Sequence, residues 1–223
     1  MDLARLAGRR PAGALCEIVS RDHPAAMAGG AELIEFAMQH RLSIVSIDDL
    51  AQYRRRTEPQ VVRLAETILP TKAGAARAIG FRDVHPAASG GEHLVVLNGA
   101  AGSGLPMPLH IHVECLTGDV FGSTACRCRG ELDRALTAMT ARGSGMIVYL
   151  RPPGPVHACG LSCRDDVKAE QVSQTVAWIL RDLGVHTIRL SDDAPGFGLV
   201  MFGAIREHGL HVAGEVPTLA VAG

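Results

Sequence analysis

Apolar and polar positions divide the chain into two stretches with different rhythms. The first reads as β-α-β-α. Gly13 to Val19 is a short apolar run of strand type, and Ala31 to His40 places Leu33, Ile34, Ala37 and Met38 on one helical face. Leu42 to Ile47 is a second apolar run. Asp48 or Asp49 then supplies a cap for a helix through Arg56, and Thr57-Glu58-Pro59 breaks it. A unit this small buries too little surface to be a convincing domain alone.

The second stretch is strand-rich. Val61 to Pro70, Ala75 to Phe81 and His93 to Leu97 are predicted strands, with turn-forming residues at His85 to Gly91 and Gly99 to Pro108. Leu109 to Glu114 alternates. Glu131 to Arg142 is an amphipathic helix with Leu132, Ala135, Leu136 and Met139 on one face, followed by a strand from Gly143 to Leu150. After a Pro/Gly/Cys segment, Arg151 to Arg164, a helix capped by Asp165 or Asp166 runs to Leu183 and stops at Gly184. Val185 to Leu190 is a strand, Phe202 to His208 a helix, and His211 to Val216 a last strand. This order predicts an α/β or α+β fold with a mixed sheet. The expected division is residues 1–57 and 58–223.

Composition narrows the function classes. The 223 residues are 47% hydrophobic with a net charge of −1, enough for a real core and no electrostatic case for nucleic acid. Lys72 and Lys168 are the only lysines, so an anion site would rest on arginine, backbone N–H groups or a metal. No apolar run approaches membrane-spanning length and no basic-then-apolar leader is seen, so a cytoplasmic protein with free or metal-bound thiols is expected.

Three of the six cysteines form a C-x10-C-x-C pattern: Cys115, Cys126 and Cys128. Three thiolates can hold zinc and leave a fourth position open for a water or substrate, whereas a fourth protein ligand closes the site and makes it structural. Cys159, Cys163 and His157 are the candidates for that fourth position. With an open position, Glu114 beside the first ligand is the candidate proton acceptor. Its structural alternative is an ion pair with Arg127 or Arg129. Cys16 reads as a core residue of its strand.

The run from His110 to Cys128, with Glu114-Cys-Leu-Thr-Gly-Asp119 and Phe121-Gly-Ser123 inside it, resembles the GTP cyclohydrolase II family. The likeness continues through Glu131-Leu-Asp-Arg-Ala-Leu136, Ile147 to Arg151 and Ile179 to Val185. It implies a zinc enzyme with Cys115, Cys126 and Cys128 as metal ligands. It further implies that His112, Glu131 and Arg151 lie on a small-molecule substrate, and that the protein is a homodimer. Asp2 to Gly8, Arg10 to Ile18 and Ile44 to Arg56 resemble the end of 3,4-dihydroxy-2-butanone 4-phosphate synthase, which often precedes the cyclohydrolase in a fusion. Glu17 alone cannot perform the synthase reaction, so no synthase activity is assigned.

The chain also departs from the cyclohydrolase pattern. The family's glutamate and arginine after the Tyr-x-Arg strand fall on Pro152-Pro-Gly-Pro155. Its triphosphate-binding lysine falls on Phe197, and Asp192 and Asp193 add anions there. The family's opening arginine is His110, the segment after Gly160-Leu161 is shortened, and neither Tyr53 nor Tyr149 matches the catalytic tyrosine. The expectation is a divergent zinc enzyme that hydrolyses or opens a C–N bond in a small heterocycle other than GTP, in riboflavin-related or specialised metabolism. The alternative is a non-catalytic homologue that keeps zinc for its fold and acts as a partner or regulator.

Overall fold

A computed structural model of the protein describes residues 1–84, 91–161, 169–190 and 198–213. Cys163, Asp165, Asp166, Asp192, Asp193 and Phe197, singled out above, lie outside the described residues, as does the end of the last predicted strand. The chain forms two compact units, Met1–Ala51 and Gln52–Gly223.

The first unit holds helices α1 (Asp2–Leu6) and α2 (Gly30–His40) and the start of α3 (Ile47–Thr57). The two predicted strands are irregular backbone here, save for one antiparallel bridge between Val19 and Met27. An apolar run becomes a strand only with a neighbour to complete its hydrogen bonds, and this unit supplies none. Cys16 is accordingly exposed rather than buried in a strand. The cap of α3 is Ser46, not Asp48 or Asp49. The Ser46 Oγ accepts from the Asp49 N–H at 2.9 Å and donates to the Asp49 carboxylate at 2.6 Å.

The second unit is built on a seven-stranded sheet. Its strands are β1 (Val61–Thr71), β2 (Gly74–Asp83), β3 (Glu92–Asn98), β4 (Met107–Val113), β5 (Gly145–Leu150), β6 (Thr187–Leu190) and β7 (His211–Val212). They lie in the order β1-β2-β3-β5-β4-β6-β7. The β1-β2-β3 meander is antiparallel and β3 meets β5 antiparallel, while β5, β4, β6 and β7 are mutually parallel. The mixed sheet thus joins a hairpin-connected half to a crossover-connected half.

Among its described residues this unit also holds the end of α3 and the helices α4 (Cys128–Arg142), α5 (Ala169–Asp182) and α6 (Gly198–Glu207). The strict alternation of β4 and β5 sorts their side chains between the two faces. Leu109, Ile111, Met146, Val148 and Leu150 join Ile79, Phe81, Val95 and Leu97 in the main core, against Val176, Ile179 and Leu180 of α5 and Ile205 of α6. Ile147 faces the other way, with Val96 and Ala76, and meets Met139, Leu132, Ala135 and Leu136 of α4. His110, His112 and Tyr149 share that second face by the same alternation.

The α5 and α6 layer contains a pH-sensitive contact. The buried side of His208 packs edge-on to Trp178, and its Nε2 lies 2.6 Å from the Gln174 Oε1. Arg181 approaches Nδ1 at 3.2 Å. Burial, and then the Arg181 charge, lower the His208 pKa, with Glu207 opposing weakly. A folded-state pKa below the ordinary imidazole value of about 6.5 means that the contribution is whole above that pH and is lost as the pH falls through it. The melting temperature of the His208→Gln variant is therefore expected to depend less on pH between about 7 and 5 than that of the parent. Parallel slopes for the two proteins would contradict this assignment.

Candidate metal centre

Where β4 ends, the chain leaves the sheet through Glu114, whose N–H donates to the Leu150 carbonyl at 2.8 Å. A single π-helical turn, Leu116–Val120, follows directly. It folds the Gly118 N–H back onto the Cys115 Sγ at 3.4 Å. The loop then delivers Cys126, and Cys128 opens α4. A fourth thiol comes from the segment after β5. Cys159 is tied to the turn by the Thr117 hydroxyl, which donates to the Cys159 carbonyl at 3.0 Å, and by the Leu116 N–H, which donates to the His157 carbonyl at 2.8 Å.

The sulfurs of Cys115, Cys126, Cys128 and Cys159 all lie within 4.8 Å of one another. The Cys115 and Cys126 sulfurs, and those of Cys128 and Cys159, are 3.9 Å apart. Zinc–sulfur bonds of about 2.3 Å in a tetrahedron place neighbouring sulfurs about 3.8 Å apart, so the cluster is shaped for such an ion. Gly118 makes the space. A Cβ there would lie 2.9 Å from the Cys126 Sγ and 3.3 Å from the Cys115 Sγ. Gly118→Ala is expected to weaken metal binding roughly 10- to 100-fold by displacing the ligands, as read in a competition titration with a chelator. An unchanged affinity would mean the loop absorbs the methyl group.

The electrostatics suit a cation. Burial pushes the Cys115 thiol up, but contacts from the Thr117 hydroxyl and the Cys159 and Gly118 amides outweigh it and bring the pKa to about 6. Burial, followed by the nearby thiols of Cys126 and Cys115, drives Cys128 far above the ordinary range. Cys159 is pushed up to about 11 by burial and by Cys115. One anion forms readily and suppresses the others, so four thiolates coexist only around a positive ion.

Asp119 holds this loop in place. Its side chain is 6% exposed. The carboxylate accepts from the Cys115 N–H at 2.8 Å and the Tyr149 hydroxyl at 2.8 Å, and meets the His112 Nε2 at 3.0 Å. The His112 ring stacks on Tyr149 with centroids 5.3 Å apart. Burial alone would raise the Asp119 pKa, but His112, the Cys115 amide and Tyr149 hold it below the usual carboxylate value. The same arrangement raises Tyr149, by burial first and the Asp119 charge second.

The residues expected on substrate are placed as follows. His112 is buried at 4% exposure with its Nε2 engaged by Asp119. Glu114 pairs with Arg151, Oε1 to Nε 3.1 Å, rather than with Arg127 or Arg129. Those two arginines instead approach Glu131 at 3.8 Å and Asp133 at 3.0 Å. Glu131 and His110 line a groove of about 410 Å³ along α4, together with Arg134, Arg142 and Arg189, and none of the four cysteines lines it. Asp119, Tyr149, Thr117 and Gly118 carry the site but were not singled out from the sequence. The matched Leu-Thr-Gly-Asp stretch held the signal for three of them.

A mixed α/β sheet with a four-sulfur cluster that could hold a metal ion beyond its parallel strand ends defines a domain of the cyclohydrolase type. The chain belongs to the GTP cyclohydrolase II family, whose pattern matches residues 62–217. Residues 1–53 match 3,4-dihydroxy-2-butanone 4-phosphate synthase. The riboflavin biosynthesis protein RibBA of Nocardia farcinica is 38% identical over 236 residues, which cover 97% of this chain and 55% of that protein. RibBA of Mycobacteroides abscessus is 36% identical over 240 residues, covering 97% of this chain and 56% of that one. The chain thus spans about half the length of these curated relatives. Among solved structures, RibBX from A. baumannii, a two-domain 3,4-dihydroxy-2-butanone 4-phosphate synthase, is similar with a TM-score of 0.56 and 27% identity. That match covers 96% of this chain and 57% of RibBX.

Proposed function

We propose that this chain is a cyclohydrolase II-type domain in which Cys115, Cys126, Cys128 and Cys159 hold zinc as a closed structural site, and that it acts as a partner or regulatory module rather than opening GTP. The observation that carries this reading is the fourth sulfur. The segment of Cys159 is pinned to the metal loop by two hydrogen bonds, and its sulfur would take the coordination position that a reacting water needs. Zinc bound there would tie the π-helical turn, the start of α4 and the loop after β5 into one rigid body. The sequence supports the same reading, since Pro152 to Pro155 replace the family's charged contacts and Glu114 is engaged by Arg151. The chain also aligns along 96% of its length with a protein named for the synthase alone.

One observation favours the enzyme reading. The groove beside α4 offers arginines and Glu131 to a small anionic substrate. It requires Cys159 to release the metal or the chemistry to proceed away from it. X-ray absorption on the zinc-loaded chain separates the two, since four sulfurs support the closed site and three sulfurs with one oxygen overturn it. A GTP assay for formate and pyrophosphate gives a second decision, with no turnover above a Cys115→Ser control expected. Light scattering on the same sample tests the homodimer that the family resemblance implies.

A further inference from the structure

We propose that the end of the α4 groove farthest from the cysteines is a second binding site, which takes a small phosphate monoester on Arg142 and Arg189. The site is separate from the metal centre and stands whether that centre is open or closed.

The sheet forms one wall. Ile188 and Leu109 belong to the main core, so Arg189 and Pro108, which pair across β6 and β4, lie on the opposite face, toward α4. Gly145 sits beside Pro108, one position before the Leu109–Met146 pair, and has no side chain to fill the floor. α4 packs chiefly on β5 and β4, so β6 borders the open side. Ala135 and Ala138 keep the helix wall short. The space left is about 410 Å³, within the range of small-molecule sites.

Charge decides what fits. Three arginines and one glutamate line the groove, and Arg127 approaches that glutamate, Glu131, at 3.8 Å. Arg54, Arg63, Arg77, Arg129 and Arg151 each meet a carboxylate at 3.1 Å or less. Among the described residues the guanidinium groups of Arg142 and Arg189 meet none. Two uncommitted guanidinium groups on one groove suit a dianion, because one fork already satisfies a single carboxylate. Pro108, Ala138 and Met139 offer an apolar wall to the body of an ester.

Distance separates this end from the metal. Arg142 closes the helix that Cys128 opens, which puts them about 21 Å apart along its axis. Pro108 stands near the start of β4, and Cys115 lies beyond its end, roughly 20 Å further on. The family resemblance places Glu131, at the other end of the groove, on substrate and assigns nothing to Arg142, Ser144 or Arg189.

The test is isothermal titration of the full zinc-loaded chain at low salt and near-neutral pH. Phenyl phosphate is the probe, with inorganic phosphate and benzoate beside it. The expected result is one phenyl phosphate per chain, with benzoate and inorganic phosphate each roughly 10-fold weaker. Arg142→Gln and Arg189→Gln are each expected to weaken phenyl phosphate roughly 10-fold. Ala138→Leu, which fills the groove without changing its charge, is expected to weaken it at least as much. Arg206→Gln, which removes the same charge from an exposed position on α6, is expected to leave the affinity unchanged. Chain stripped of zinc by a chelator is expected to bind as well as the loaded chain. Absence of saturable binding, full affinity in both groove arginine variants, an equal loss in Arg206→Gln, or a requirement for zinc would each overturn the proposal. Benzoate as tight as phenyl phosphate would overturn the choice of a dianion. Inorganic phosphate as tight would overturn the choice of an ester.

Discussion

Cys115→Ser is expected to strip the protein of most of its metal and to loosen the loop from Glu114 to Cys128. Of the four proposed ligands, Cys115 has the most to lose. It is fully buried, and it takes the Gly118 N–H on its sulfur and gives its own N–H to Asp119. It is also the thiol most ready to ionise, with a pKa brought to about 6 while Cys159 stands at about 11. Structural zinc sites are worth about 10–16 kcal/mol in small metal-dependent folds, so losing one of four ligands removes on the order of a quarter of that, or 100-fold or more in affinity. The sheet has its own core in Phe81, Leu97, Val148 and Ile179, so the variant is expected to stay folded. Metal content by plasma mass spectrometry and protease sensitivity of the Leu116–Cys126 segment check this. A variant with full zinc content would remove Cys115 from the ligand set.

Asp119→Ala is expected to cost on the order of 3–5 kcal/mol in a urea titration, because it strands buried donors on Cys115, Tyr149 and His112, each worth about 1–3 kcal/mol when left unpaired. The sum is not simply additive, since the three donors share one acceptor and relax together. Asp119→Asn keeps the shape and one carbonyl oxygen, but turns an NH2 group toward donors. It is expected to fall between the parent and Ala. Both variants are also expected to bind zinc more weakly, because the Cys115 amide loses the group that aims it. A loss below about 1 kcal/mol for Asp119→Ala would show that water replaces the carboxylate without penalty.

Much of the larger unit was legible from periodicity. Every strand predicted from Val61 onward within the described residues has a counterpart in the sheet, and α4 presents Leu132, Ala135, Leu136 and Met139 as its buried side. Alternation and 3.6-residue spacing are local, so they survive without knowledge of neighbours. The failures are elements whose state depends on a distant partner. Gly13 to Val19 and Leu42 to Ile47 have strand-like composition and no strand beside them. The cap on α3 was misplaced by a few residues because Ser46 and two aspartates compete for the same role, and only the path of the backbone decides between them.

The site divides in the same way. By its own pattern the chain determined the three clustered cysteines and the family, since a C-x10-C-x-C run with its flanking residues is a short-range signal. Tertiary structure decided the rest. It brought Cys159 to Cys128 across 31 positions of sequence, engaged Glu114 with Arg151 across 37, and buried Asp119 under Tyr149 across 30. Such contacts arise because parallel strands β4 and β5 end side by side and release their loops at the same edge. Whether a metal site is open or closed depends on what the second loop delivers there, and linear spacing carries no record of it.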